Sequence, residues 1–172
     1  MRFTRRRRGG VKAELAAVEV EVLTDLARQL LSLLGEPPPP QDPLAALVGM
    51  PSGDVQPPDD PVLRRLLPAA YADDPEAAQE FRRYTDADLR AGKRTNAERV
   101  LQTLPEGGGR LELDRDACDT WLAWLNDVRL ALGTALEVTE DDVEREDPSF
   151  QVYAWLGWLQ ESLLSCVDPR LG

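Results

Sequence analysis

The sequence predicts a mainly α fold, a helical bundle with a short N-terminal β-hairpin and a C-terminal antiparallel helical hairpin. Three observations lead there. Apolar residues recur at helical spacing through most of the chain. Prolines, glycines and capping acids punctuate those stretches. One period-two stretch beside Gly9-Gly10 stands at the start. With 172 residues, the chain can bury a core of its own and is expected to form a single helical domain over 1–172.

The elements follow in order. Over 1–15, Phe3, the turn signal Gly9-Gly10, and Val11, Ala13 and Leu15 at period two predict the basic β-hairpin. Over 16–34, Val18, Val22, Leu26 and Leu30 recur at i+4, and Leu23 and Leu34 widen the stripe into a helix broad enough to be central. Gly35 and Pro37 to Pro40 end it. Residues 35–60 hold eight prolines and, besides Gly35, the glycines Gly49 and Gly53, and read as a Pro-rich loop, with at most a turn or two around Leu44 to Val48. A short helix is expected over 61–71. A longer one runs over 75–104, its apolar positions being Phe81, Tyr84, Leu89, Val100, Leu101 and Leu104, with Gly92 as a potential break. Gly107 to Gly109 lack the Lys-Ser/Thr of a phosphate loop and read as a connector. A short extended piece over 110–113 follows.

The C-terminal helical hairpin occupies 114–167. Asp114 caps its first helix, expected to reach about residue 137, and Asp147-Pro148 opens the second, which Pro169 stops. The helices carry matching patterns, Trp121-Leu-Ala-Trp124-Leu and Trp155-Leu-Gly-Trp158-Leu. The acidic connection between them is short enough to favour antiparallel neighbours.

Composition excludes much chemistry. Histidine is absent, which removes the commonest general base, the usual catalytic triads and most zinc sites. The two cysteines, Cys118 and Cys166, do not form a CxxC motif and cannot close a zinc site alone. No catalytic residue, metal or cofactor is therefore expected. No stretch reaches the roughly 18 apolar residues of a membrane span, and no apolar segment follows the first arginines as in a signal peptide, so a cytoplasmic location is expected. Charge is uneven. Arg2, Arg5, Arg6, Arg7, Arg8 and Lys12 stand without an acid among the first twelve residues, while the whole chain carries −11. The acidic body repels phosphate backbones, so nucleic-acid contact would rest on Arg5, Arg6, Arg7 and Arg8 alone. Two other readings of that cluster stay open: a solvated strand face, and pairing with the acidic body.

Counting from the bend gives the thiols a geometry. With the midpoint near Asp142, Cys118 lies 24 residues before it and Cys166 lies 24 after it. Antiparallel helices rise equally, so both thiols are expected at one level, at the end away from the turn. They are either two buried cysteines acting as small hydrophobes or a redox pair. The four tryptophans read first as core, with part of the indole surface of Trp121, Trp124, Trp155 or Trp158 open to a partner. Arg129 falls in the apolar stripe of Leu122, Leu125 and Leu132. A charge there needs a partner, expected to be an acid from another helix, unless it forms a notch for a binding protein. Gln160 and Glu161 read as inter-helix hydrogen bonding or surface.

Two segments carry a family resemblance. Trp124-Leu-Asn-Asp-Val-Arg-Leu-Ala-Leu-Gly-Thr134 and Tyr153-Ala-Trp-Leu-Gly-Trp-Leu-Gln-Glu-Ser-Leu163 resemble the signatures of the actinobacterial oxidative stress transcriptional regulator AosR family, formerly a domain-of-unknown-function family. The basic hairpin and the Leu-rich first helix fit as well. The resemblance implies a redox-responsive regulator that forms an intramolecular disulfide under oxidative stress. It further implies binding to a stress-response sigma factor or RNA polymerase, and higher transcription of cysteine-biosynthesis genes. Cys118 and Cys166 are the only cysteines available for that disulfide. The alternative is a non-redox adaptor or scaffold that binds a partner through its helical surface. An enzyme would need catalysis from Asp, Glu, Arg or Cys without a recognised motif.

Overall fold

The computed structural model describes residues 1–6, 10–35, 58–71, 73–139 and 145–168. Strands β1 (Thr4–Arg5) and β2 (Val11–Leu15) are followed by α1 (Ala17–Leu34), α2 (Pro61–Leu66), α3 (Pro75–Thr103), β3 (Gly109–Leu113), α4 (Arg115–Ala135) and α5 (Pro148–Val167). The fold is mainly helical, as the periodicity predicts. The Pro-rich loop lies almost wholly outside the described residues, as do Arg7, Arg8 and Gly9.

The N-terminal hairpin is part of a larger unit. β3 adds to β2, giving an antiparallel sheet of order β1-β2-β3 with Arg5 opposite Val11 and Val11 opposite Leu113. The alternation is strict. Val11, Ala13, Leu15, Leu111 and Leu113 are buried, while Lys12, Glu14, Arg110 and Glu112 face solvent. Gly10 enters β2 with φ +75°, and a Cβ there would lie 2.2 Å from the Leu113 carbonyl oxygen. Backbone cannot yield as a flexible side chain does. Gly10→Ala should therefore lower stability by about 2–3 kcal/mol, from left-handed strain and the clash together. Urea denaturation would show it as a lower midpoint with an unchanged slope.

The central helix is α4, not α1. α4 packs against α1, α2, α3, α5 and β3. The buried stripe of α1 is Val20, Leu23, Ala27, Leu30 and Leu34. It is rotated from the expected one, leaving Val18 exposed and Val22 and Leu26 only half-buried. The i, i+3, i+4 rows of a broad apolar helix overlap, and the neighbour chooses between them. That neighbour is α3, whose Arg94 donates to the carbonyls of Leu31 and Gly35 and whose Arg90 donates to that of Leu34. These guanidinium groups satisfy the Leu34 and Gly35 carbonyls at the end of α1, while the Leu31 carbonyl also accepts from the Gly35 N–H.

Other boundaries shift for local reasons. α2 stops at Leu66 because Pro68 pushes Leu67 out of the helical region (φ −122°, ψ 66°). α3 passes through Gly92 without a break. Its expected apolar positions Phe81, Tyr84 and Leu89 are exposed, and its first half is held instead by Arg82, which reaches the Leu67 carbonyl and Asp86. Asp114 caps α4 and Asp147 caps α5, accepting from the backbone N–H groups of Ala117 and Ser149. α4 ends at Ala135, short of 137, where Glu137 turns to φ 50°.

Candidate functional site

α4 and α5 pair in opposite directions. A Cβ on Gly133 would meet the Tyr153 ring, and one on Gly157 would meet the Arg129 guanidinium. Cys118 and Cys166 extend the same series. Each pair is spaced almost evenly about the bend, so the register places the first turn of α4 beside the last turn of α5. There the two thiols line one cavity of about 120 Å³ with Arg5, Gly10, Val11, Arg115 and Val167. Both are free.

The two cysteines differ in setting. Cys118 is 1% exposed. Burial pushes its thiol up to about 11, and Asp119, Asp114 and Cys166 add to the rise, against a weaker opposing hydrogen bond with the Val11 backbone. The helix N-terminus would favour a thiolate there, but desolvation and the neighbouring acids win. Cys166 is half-buried and also lines a second, open cavity of about 470 Å³ with Arg2, Phe3, Trp158, Glu161, Ser162 and Ser165. Burial raises its thiol too, while the charges of Arg2 and Arg5 act in the opposite direction.

The tryptophans divide in two. Trp121 and Trp124 are fully buried, with rings in edge contact at 5.7 Å. Trp121 also meets Phe3 edge-on and donates its indole N–H to the Thr103 hydroxyl. Neither offers surface to a partner, which corrects the expectation for those two. Trp155 is half-buried and Trp158 is 45% exposed, so only the α5 indoles face outward in any degree. The difference lies in position, since the central helix has neighbours on almost every side.

Among the described residues Arg129 has no acidic partner. Its guanidinium donates to Gln160 Oε1 at 2.7 Å and lies 5.2 Å from the centre of the Tyr153 ring. A neutral amide and an aromatic face replace the expected carboxylate, which avoids burying a second charge. Among the described residues the ion pair that joins two helices is Lys93–Asp127, at 2.5 Å, with the carboxylate side chain only 5% exposed. Sequence reading passed over it. Its signal was a carboxylate three residues after Trp124 and directly before Val128, at helical spacing from apolar positions.

The arginine cluster is spread over several tasks. Arg6 pairs with Glu112 on β3 at 3.0 Å, pairing within the acidic body as one reading had it. Arg5 faces the thiol cavity. Arg7 and Arg8 lie outside the described residues. Arg2, which sequence reading treated only as charge, lies at the outer mouth beside Cys166. Among the described residues no helix is long and apolar enough to cross a membrane.

Fold and site together define a class, an acidic helical bundle whose central helical hairpin carries a pair of free thiols under a basic N-terminal strand. The chain belongs to the family described as domain of unknown function DUF2017, which matches residues 1–167. It is 36% identical over 174 residues to the oxidative stress regulator AosR of Mycobacterium bovis, covering 89% of this chain and 80% of that protein. The same figures hold for the oxidative stress regulator AosR of Mycobacterium tuberculosis strain H37Rv. A relative from Mycobacterium leprae is 38% identical over the same span. No solved structure matches.

Proposed function

We propose that this protein regulates the response to oxidative stress, acting in the cytoplasm by contact with a stress-response sigma factor rather than by catalysis. Reversible closure of a Cys118–Cys166 disulfide switches it. The observation that carries this reading is the shared cavity of the two thiols. Its relatives, named for oxidative stress regulation, support the role. A bond between the start of α4 and the end of α5 would fasten the hairpin at its open end. It would bias the surface around Trp158 and Arg2, which border the outer cavity, toward the partner.

Hydrogen peroxide should remove two hydrogens from the intact protein by mass spectrometry. It should also raise capture of the purified stress sigma factor, and Cys118→Ser should abolish that peroxide response. The reading fails if the mass stays unchanged or if Cys118→Ser responds as the wild type does. One observation favours a second reading, a non-redox adaptor. Cys118 is buried and held protonated, which slows its oxidation. Sigma-factor capture that is strong and indifferent to peroxide would select the adaptor.

A further inference from the structure

The two thiols are not equivalent, and the asymmetry assigns them different chemistry. Phe3 is buried and set edge-on against Trp121, and its backbone N–H donates to the Ser162 hydroxyl at 3.2 Å. Ser162 lies one turn before Cys166 on α5. This anchor pins the entry to β1 against the end of α5. It brings Arg2 to the outer cavity and Arg5 to the inner one, with Cys166 lining both. Among the described residues neither arginine makes a side-chain ion pair, whereas Arg6 is held by Glu112. The acid facing the outer cavity is Glu161, while Asp114 and Asp119 lie near Cys118. Cys166 therefore stands between solvent and the buried thiol, in the more positive setting of the two.

We infer that Cys166 is the site of first attack by a hydroperoxide, with Arg2 and Arg5 favouring its thiolate and the incoming oxidant, and that Cys118 is the resolving thiol. The second half rests on the switch reading above; the first does not. In the first step the Cys166 sulfur attacks one peroxide oxygen. The S–O bond forms as the O–O bond breaks, and the leaving hydroxide takes a solvent proton to become water. Sulfur loses two electrons and the peroxide gains them. In the second step the Cys118 sulfur attacks the sulfenic sulfur across the inner cavity. The S–S bond forms, the S–O bond breaks, and hydroxide leaves with the Cys118 proton as water. Burial suits Cys118 to this role, because a protonated, enclosed thiol does not compete for peroxide.

Dimedone trapping under limiting hydrogen peroxide tests the assignment. Cys118→Ser should accumulate an adduct at Cys166, and Cys166→Ser should show none at Cys118. In the wild type, brief iodoacetamide treatment should alkylate Cys166 before Cys118, a readout that needs no folded variant. Arg2→Ala with Arg5→Ala should slow adduct formation roughly tenfold at low ionic strength and less at high salt, and Arg2→Lys with Arg5→Lys should restore it. An adduct on Cys118 in Cys166→Ser, with none on Cys166 in Cys118→Ser, overturns the order while leaving the disulfide intact. A Cys166 adduct in a wild type that never forms the disulfide removes the resolving role and the switch, and leaves the first step standing. Equal rates with and without the arginines overturn their part.

Discussion

Asp127→Ala should destabilise the protein by about 3–5 kcal/mol, among the largest single effects expected in it. The carboxylate is buried on α4, and the Lys93 ammonium from α3 is its charged partner. Removing Asp127 leaves the largely buried Lys93 ammonium without its charged partner, and that uncompensated charge carries the cost. The Lys93 stem can let its charge reach outward, which places the expected value toward the lower end. Replacing both partners with apolar residues of similar volume, Lys93→Met with Asp127→Leu, should recover most of the loss. Denaturant midpoints of the two single variants and the double variant make a cycle, and a double variant as unstable as the sum of the singles would overturn the account.

The pH dependence has a definite sign. Burial raises the Asp127 carboxyl above its ordinary value, and the hydrogen bond and charge of Lys93 only partly offset that. The folded state therefore holds the proton more tightly than the unfolded chain. The group's contribution is fully present below the ordinary carboxyl pKa and is lost as pH rises through the raised one. Relative to Asp127→Asn, the wild type should gain stability as pH falls from neutral toward the ordinary carboxyl range. Paired denaturation curves across that range measure the gain.

Trp121→Ala should cost a similar about 3–5 kcal/mol, through a large cavity at the centre of the bundle. The ring is fully buried against Phe3 and Trp124, and its N–H is bonded to Thr103. Trp121→Phe should cost less, since it leaves the Thr103 hydroxyl partner missing but most of the volume filled. The effect should also reach the thiols. Trp121 lies one turn after Cys118 and supports the Phe3 anchor, so its truncation should speed alkylation of Cys118 well before the protein unfolds globally. Thiol labelling at denaturant concentrations below the transition separates that local opening from global loss of structure.

Much of the fold was legible along the chain because its signals are local. Asp114, Asp147 and Pro148 fix helix starts through their own backbone neighbours, and Pro68 ends α2 through the residue before it. The level of the thiols was legible too, because two antiparallel helices of equal rise leave little freedom once the bend is placed. Other features were not. Phe81, Tyr84 and Leu89 have helical spacing but stay exposed among the described residues, whereas Val20 and Ala27 are buried because α1 turns that face inward.

The sequence by itself determined a mainly α chain with a basic hairpin, a Trp-bearing helical hairpin and two thiols at one end, since periodicity, capping and equal rise are properties of single segments. The tertiary structure alone decided that β3 completes the sheet, that α4 is central, that Lys93 pairs with the buried Asp127, and that Cys166 borders both Arg2 and Arg5 whereas Cys118 shares a cavity with Arg5 alone of the two. Those outcomes depend on which faces meet across distant parts of the chain. Rotation of a helix by one residue changes them while leaving every local signal intact.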